Sequence, residues 1–418
     1  MKYGTSLVVL SFALLAANAA HAQSSNFARD RNIAVTERIP PEYEPRGVRW
    51  GVFDVSPSLD VEVNSNDNIY YQAVNEESDT YSAIRPAVRI ASDWGRHQLT
   101  ASLRSTITNF ADHDNQNTTS WEAAVGGRLD IHGRSNLFGG INYSDGFEPL
   151  YEPASQTVST SLIKPIEYKA TVVNAGFVAE GNRLRFTGQA TLTDLDYENA
   201  ILAGGSISQD YRDYRRVEYS GRADYALSPD TALYAIWVGN TRDYDDHIIN
   251  RDSDGYDAAI GASFDLTNLI RGEAQLGYQE QTYDNPLFKK VQGASFAANI
   301  QYFPTQLITI SAGTSRTIQE TPQIDASSYT STASQIGVDY ELLRTLVLSA
   351  SYGYTTDEYN GVDRTDDRKT LWLGAKYLIN RHVTIRGGYA YNENKSSGSR
   401  AIPGYKDNIL RVSLGLQY

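Results

Sequence analysis

From Val48 to the last residue, small or apolar side chains alternate with polar ones in segments of about 10–15 residues, separated by turn-rich stretches. Val383, Ile385, Gly387, Tyr389 and Tyr391 interleave with Thr384, Arg386, Gly388, Ala390 and Asn392. The final segment sets Leu410, Val412, Leu414, Leu416 and Tyr418 against Arg411, Ser413, Gly415 and Gln417. Leu184/Phe186/Gly188/Ala190/Leu192 and Gly272/Ala274/Leu276/Tyr278 repeat the pattern. A period of two places each set on one face of a strand, so one face suits lipid and the other water. A soluble β-sandwich alternates as well, and the period alone leaves both open.

Connection lengths separate them. Short turns fall at Asp93–Arg96, His132–Ser135, Glu180–Asn182, Ser228–Asp230, Thr267–Leu269, Pro304–Gln306, Leu343–Thr345 and Asn380–His382. Between them lie mostly longer, more acidic loops near Asn66–Ser78, His113–Thr118, Phe147–Pro165, Asn199–Asp213, Asp246–Asp254, Asn285–Leu287, Thr321–Ser327, Asn360–Asp366 and Lys395–Lys406. Eight turns and nine loops join about 18 strands, with both ends on the turn side. This predicts an all-β protein: an antiparallel up-and-down transmembrane barrel of the bacterial outer membrane, the non-helical structure that satisfies its backbone in lipid. Tyr225, Phe264, Tyr302, Tyr340, Tyr377 and Tyr418 close outward dyads near the turns and predict one interfacial girdle. Tyr256, Tyr278, Tyr352 and Tyr389 suit the opposite one.

The first residues read differently. Lys2, the apolar stretch Leu7–Leu15 and Ala20-His21-Ala22 before Gln23 predict a cleaved secretory signal peptide over 1–22. Gln23–Gly47 is polar, contains Pro40, Pro41 and Pro45, and predicts a periplasmic arm ahead of a barrel over 48–418.

Composition then narrows the chemistry. The 418 residues include no cysteine, which excludes disulfides, thiol nucleophiles and Cys-ligated metals. The 37 Lys+Arg against 50 Asp+Glu give −13, which disfavours a nucleic-acid partner. Barrels of 16–18 strands leave an aqueous channel. The strand phases direct Arg85, Arg89, Arg104, Arg128, Arg185, Arg222, Arg271, Lys376, Arg386 and Arg411 to the lumen, with Glu218 and Glu273 among the acids there. Such a wall calls for water. The arginines either form a track for an anionic or hydroxyl-rich solute or pair with neighbouring carboxylates. The loop from Phe147 to Pro165 either folds inward as a constriction or lies over the rim. Asp243, Asp245, Asp246, Asp252 and Asp254 read as a solvated acidic loop in preference to a Ca²⁺ site, because the spacing does not match an EF-hand. The histidines fall at turns and loops, with Asp245 and His247 the one conceivable catalytic pairing. No catalytic residue, metal or cofactor is expected.

The segment Val35-Thr36-Glu37-Arg38-Ile39-Pro40-Pro41-Glu42-Tyr43-Glu44-Pro45-Arg46-Gly47-Val48-Arg49, followed by Phe53, Pro57-Ser58-Leu59, Asn66-Asp67-Asn68-Ile69-Tyr70, Arg85-Pro86 and Ser92-Asp93-Trp94-Gly95-Arg96-His97, resembles the putative β-barrel porin 2 family. The resemblance implies a Gram-negative outer-membrane barrel associated with exopolysaccharide export, and hence a polymer conduit. A general diffusion porin for small hydrophilic solutes fits the residues equally. Expected partners are outer-membrane lipid and lipopolysaccharide, the barrel-assembly machinery through the strand ending at Tyr418, and periplasmic polysaccharide-export proteins at the arm.

Overall fold

The computed structural model describes residues 26–418 apart from Asp30, 159–161, Ala203 and Asn268, so the expected signal peptide lies outside the described residues. The barrel strands are β1 (Phe53–Asn66), β2 (Asp79–Ser92), β3 (Gln98–Phe110), β4 (Thr118–His132), β5 (Ser135–Glu148), β6 (Ile166–Glu180), β7 (Leu184–Tyr197), β8 (Tyr214–Ser228) and β9 (Thr231–Tyr244). They continue as β10 (Ser253–Leu266), β11 (Ile270–Tyr283), β12 (Val291–Thr305), β13 (Ile308–Gln319), β14 (Ser328–Leu343), β15 (Leu346–Asn360), β16 (Thr365–Leu378), β17 (Val383–Ser397) and β18 (Tyr405–Gln417). Each pairs antiparallel with its sequence neighbours, and β1 closes on β18 from Ser58↔Gln417 to Asn66↔Ile409. Closure removes every long edge, which lets the backbone sit in hydrocarbon.

All eight turns and nine loops fall between the strands where the sequence places them. Register shifts at Asp130/His132, Ala226/Ser228, Tyr302/Thr305 and Glu341/Leu343 sit beside turns, where a bulge lets a strand end. A small hairpin, Val48–Trp50, folds back on the start of β1 through Gly51, whose φ of 61° suits glycine. Ala200–Leu202 and Gly205–Ile207 form a second hairpin within a loop.

The polarity is that of a soluble barrel turned inside out. Ile260, Leu276 and Leu410 are 72%, 63% and 61% exposed on the outer surface, whereas inward Asp224, Asp357, Asp366 and Asp407 are fully covered. A continuous apolar outer surface is tolerable in lipid and not in water. The expected girdle residues Tyr225, Tyr302, Tyr340, Tyr377, Tyr278 and Tyr352 are all exposed on that outer face.

Candidate functional site

Strand alternation sends all twelve expected wall residues inward, and the structure sorts them by partner. Arg85 reaches Asp60 at 3.2 Å and Glu62 at 3.0 Å on β1, and Arg386 takes the other Asp60 oxygen at 2.7 Å. Arg104 pairs with Glu122 at 2.6 Å, Arg128 with Asp130 at 2.9 Å, and Glu218 with Arg216. Arg185 and Arg222 share Asp224 at 3.2 and 2.8 Å. Arg222 also spans to Glu273 at 2.9 Å, with its guanidinium 3.6 Å over the Tyr234 ring. Arg271 turns to Gln301 and to Glu37. The Arg411 guanidinium stands 5.6 Å from the Trp372 ring. Arg89 and Lys376 meet no hydrogen-bond or ion-pair partner among the described residues. Pairing between strands therefore accounts for most of the expected arginine track. Each pair offsets part of the cost of holding its charges on the inner wall.

At the turn end the N-terminal segment lies inside the mouth. Asn26 bonds Asn182, Phe27 packs on Ala226 and Ala232 beneath Arg185, and Arg31 pairs with Asp230. The Arg31 N–H and the Asn32 amide donate to Asp265, and the Val35 N–H donates to Thr309 Oγ1 at 3.0 Å. Arg271 donates to the Asn32 carbonyl at 2.7 Å and to Glu37 at 2.9 Å, and Arg38 reaches Glu341 at 3.5 Å. Residues 26–38 thus run along the inner wall from β7 to β14, with Ala34 and Val35 buried to 2% exposure. Residues 39–46, which carry the three prolines, are the more open part.

At the opposite end the loop 149–165 folds inward. It carries a short helix, Pro153–Val158, and ties itself to strands on the other side of the mouth. Thr157 Oγ1 accepts from Arg364 at 2.8 Å, the Tyr151 carbonyl accepts from Tyr405 at 2.8 Å, and Glu152 lies 3.8 Å from Arg368. Leu150, Leu162, Ile166 and Ala200 form a small apolar core with Tyr70, Tyr71, Val158 and Tyr197. Arg364, fully covered, holds Asp366 at 2.5 Å and Gln323 of the loop 320–327 at 2.9 Å. Arg251, also buried, donates to the carbonyls of Thr321 and Gln323. Arg212 joins the loop 198–213 to Glu148 and lies 3.9 Å over Tyr197. Of the two arrangements open to the loop near 147–165, the structure has the inward one.

Beneath this lid the inward ends of the strands carry aromatic pairs: Tyr81/Phe110, Tyr168/Tyr197, Tyr214/Tyr244 and Tyr329/Tyr359, with centroids 4.6, 5.9, 5.3 and 5.3 Å apart. These are direct cross-strand partners, which makes each pair a stabilising unit and together a collar that seats the loops. Two loop groups there have displaced acidities. Burial, with Asp196, Asp210 and Asp245 nearby, pushes the Asp213 carboxyl up to about 7. His113, held by Asp79 and Glu77 at 2.9 Å each, is raised above the ordinary imidazole range, chiefly by its bond to Asp79.

His247 lies 3.9 Å from Asp252, not against Asp245, so the one conceivable catalytic pairing does not assemble. No group of three or more potential metal ligands occurs among the described residues, and within the acidic loop Asp246 and Asp252 accept backbone N–H bonds.

An 18-stranded barrel with an apolar belt, a charged lumen, short turns at one end and long loops at the other defines a porin-like outer-membrane protein. The chain belongs to the putative beta-barrel porin 2 family, whose pattern matches residues 40–418. It is also similar to solved outer-membrane barrels. OpdK of Pseudomonas aeruginosa is 12% identical, with 87% of this chain and 99% of that one covered at a TM-score of 0.47. OpdO of the same organism is 14% identical, covering 88% and 97% at 0.45. The siderophore receptor PirA of Acinetobacter baumannii is 8% identical, covering 87% and 80% at 0.49. No curated protein matches.

Proposed function

We propose that this barrel is the outer-membrane conduit for an exopolysaccharide, without catalytic activity of its own. The observation that carries the reading is that a lumen lined with charge is restricted at both ends by the chain itself: residues 26–38 at one mouth, the loop 149–165 at the other. A passive porin works by standing open. A polymer exporter has to be shut when empty and opened by its supply.

Charge at the two ends supports an outward direction for an anionic polymer. The nine loops hold sixteen carboxylates and seven Lys or Arg, whereas the eight turns hold five Arg and two Asp. A basic entry draws in an anionic chain, and the acidic loop end is a barrier across which the polymer's supply drives it. The open, proline-bearing residues 39–46 are the surface offered to a periplasmic export protein. Lipid and lipopolysaccharide surround the apolar belt, and the final strand with Tyr418 is the segment offered to the assembly machinery. The runner-up, a general diffusion porin for small hydrophilic solutes, is favoured by the wet charged wall alone.

Removing the gene from a polymer-producing strain tests the reading. Polymer should accumulate in the periplasm and disappear from the medium. Undiminished secretion would refute it.

A further inference from the structure

One strip of the lumen wall is built unlike the rest. Of five tryptophans, Trp372 alone faces the interior. Trp121 and Trp237 are exposed on the lipid face, and Trp50 and Trp94 stand at the turn end. The Trp372 indole lies flat against the wall over Gly374 on its own strand and Gly388 on β17, which are register partners. A Cβ at Gly388 would stand 2.2 Å from the ring and one at Gly374 2.9 Å, so both positions must be glycine for the ring to lie down. Arg411 is the partner of Gly388 on β18 and flanks the ring.

In the next inward row toward the turns, Lys376 and Arg386 face each other directly. Like charges in that relation destabilise a sheet. Arg386 is partly relieved by Asp60, and Lys376 has no acid partner among the described residues. Around the indole, Arg85, Lys376, Arg386 and Arg411 face Asp60, Glu62 and Asp407, four cations against three acids. A flat aromatic face takes the C–H face of a pyranose ring, and adjacent cations take an anionic substituent.

We propose that Trp372, Arg411, Lys376 and Arg386 form a station for an acidic saccharide: the sugar ring lies on the indole, and its carboxylate or other anionic group is held by the cations. This rests on the conduit reading and names its substrate class. The opposed cations repel each other when the station is empty, and an incoming anion relieves them.

The test uses the full mature protein, folded in detergent, with hexagalacturonate as acidic probe and maltohexaose as neutral one, read by tryptophan emission and by calorimetry. Hexagalacturonate should bind and perturb the emission, maltohexaose more weakly. Trp372→Phe should abolish the emission change and weaken both probes. Lys376→Gln should weaken hexagalacturonate about tenfold, the loss of one charge-assisted contact, and leave maltohexaose unchanged. Gly388→Ala, which keeps the indole but removes its floor, should weaken both. Heat-shifted gel mobility verifies that each variant is folded. Absence of hexagalacturonate binding to the natural protein, or equal calorimetric affinity in all variants, would overturn the station. If secretion depends on the barrel while the variants bind alike, the station falls alone. If binding follows the expected pattern while secretion ignores the barrel, the conduit reading falls and the station stands.

Discussion

Two hydrogen bonds tie the inward loop to the far side of the mouth without being part of the barrel ladder, so the double variant Thr157→Val, Tyr405→Phe loosens the lid and spares the wall. The bond from Tyr405 to the Tyr151 carbonyl joins neutral groups and contributes about 1 kcal/mol. The bond from Arg364 to Thr157 is charge-assisted and contributes about 2 kcal/mol. Arg364 keeps Asp366 and Gln323 in the variant, so no buried charge is stranded. The closed lid therefore loses about 3 kcal/mol, or about 150-fold in its ratio of closed to open forms. Swelling of liposomes in an oligosaccharide medium reads the open fraction. The rate should rise at least about tenfold over the natural protein, with the remaining gain limited by residues 26–38 at the other mouth. An unchanged rate in correctly folded protein would refute the lid.

Asp213, raised to about 7, keeps its proton in the docked loop long after the undocked one has ionised. Docking is therefore strongest at low pH and declines as pH climbs toward 7. The effect is about 1–2 kcal/mol, well short of full conversion because the carboxyl is half open to solvent. Limited proteolysis of residues 198–213, normalised to an unfolded control, should run faster at pH 8 than at pH 5, and Asp213→Asn should erase the difference. His113 shares the direction of pH dependence but has a different origin. Its raised pKa comes from Asp79 and Glu77, so the tie between the first two loops is fully present below the ordinary imidazole value and is lost as pH rises through the raised one. Histidine proton shifts followed by NMR should titrate above the free imidazole value, and Glu77→Gln should bring them down. Val35→Asp places a charge at a fully buried position and should release residues 26–38 from the wall. Trypsin should then cut at Arg31 or Arg38 faster than in the natural protein.

How much of this was legible in the chain depended on the range of the interactions. Strand number and turn and loop positions follow from a period of two and from turn chemistry, both local. Gly272, Leu276 and Tyr278 could be assigned to lipid because their alternate neighbours Arg271, Glu273 and Gln275 demand water. The lid could not be placed, because its tie from Thr157 to Arg364 spans 207 residues and neither residue carries a local signal. Residues 26–38 lack any period, and their seat inside the mouth is set by single contacts such as Val35 with Thr309, 274 residues away. The choice between an arginine track and paired arginines likewise turned on partners up to three strands distant, as Arg222 with Glu273 shows. Trp372 was hidden by its surroundings. Nothing about one tryptophan among small residues reveals that Gly374 and Gly388 would meet beneath it until the register of β16 and β17 is known.

Single-channel recording of the refolded mature protein in planar bilayers reads whether the pore is shut at rest. The folded barrel should be silent or open rarely and briefly, because the chain restricts both of its own mouths. A large conductance that stands steadily open would contradict this and return the barrel to the class of passive porins.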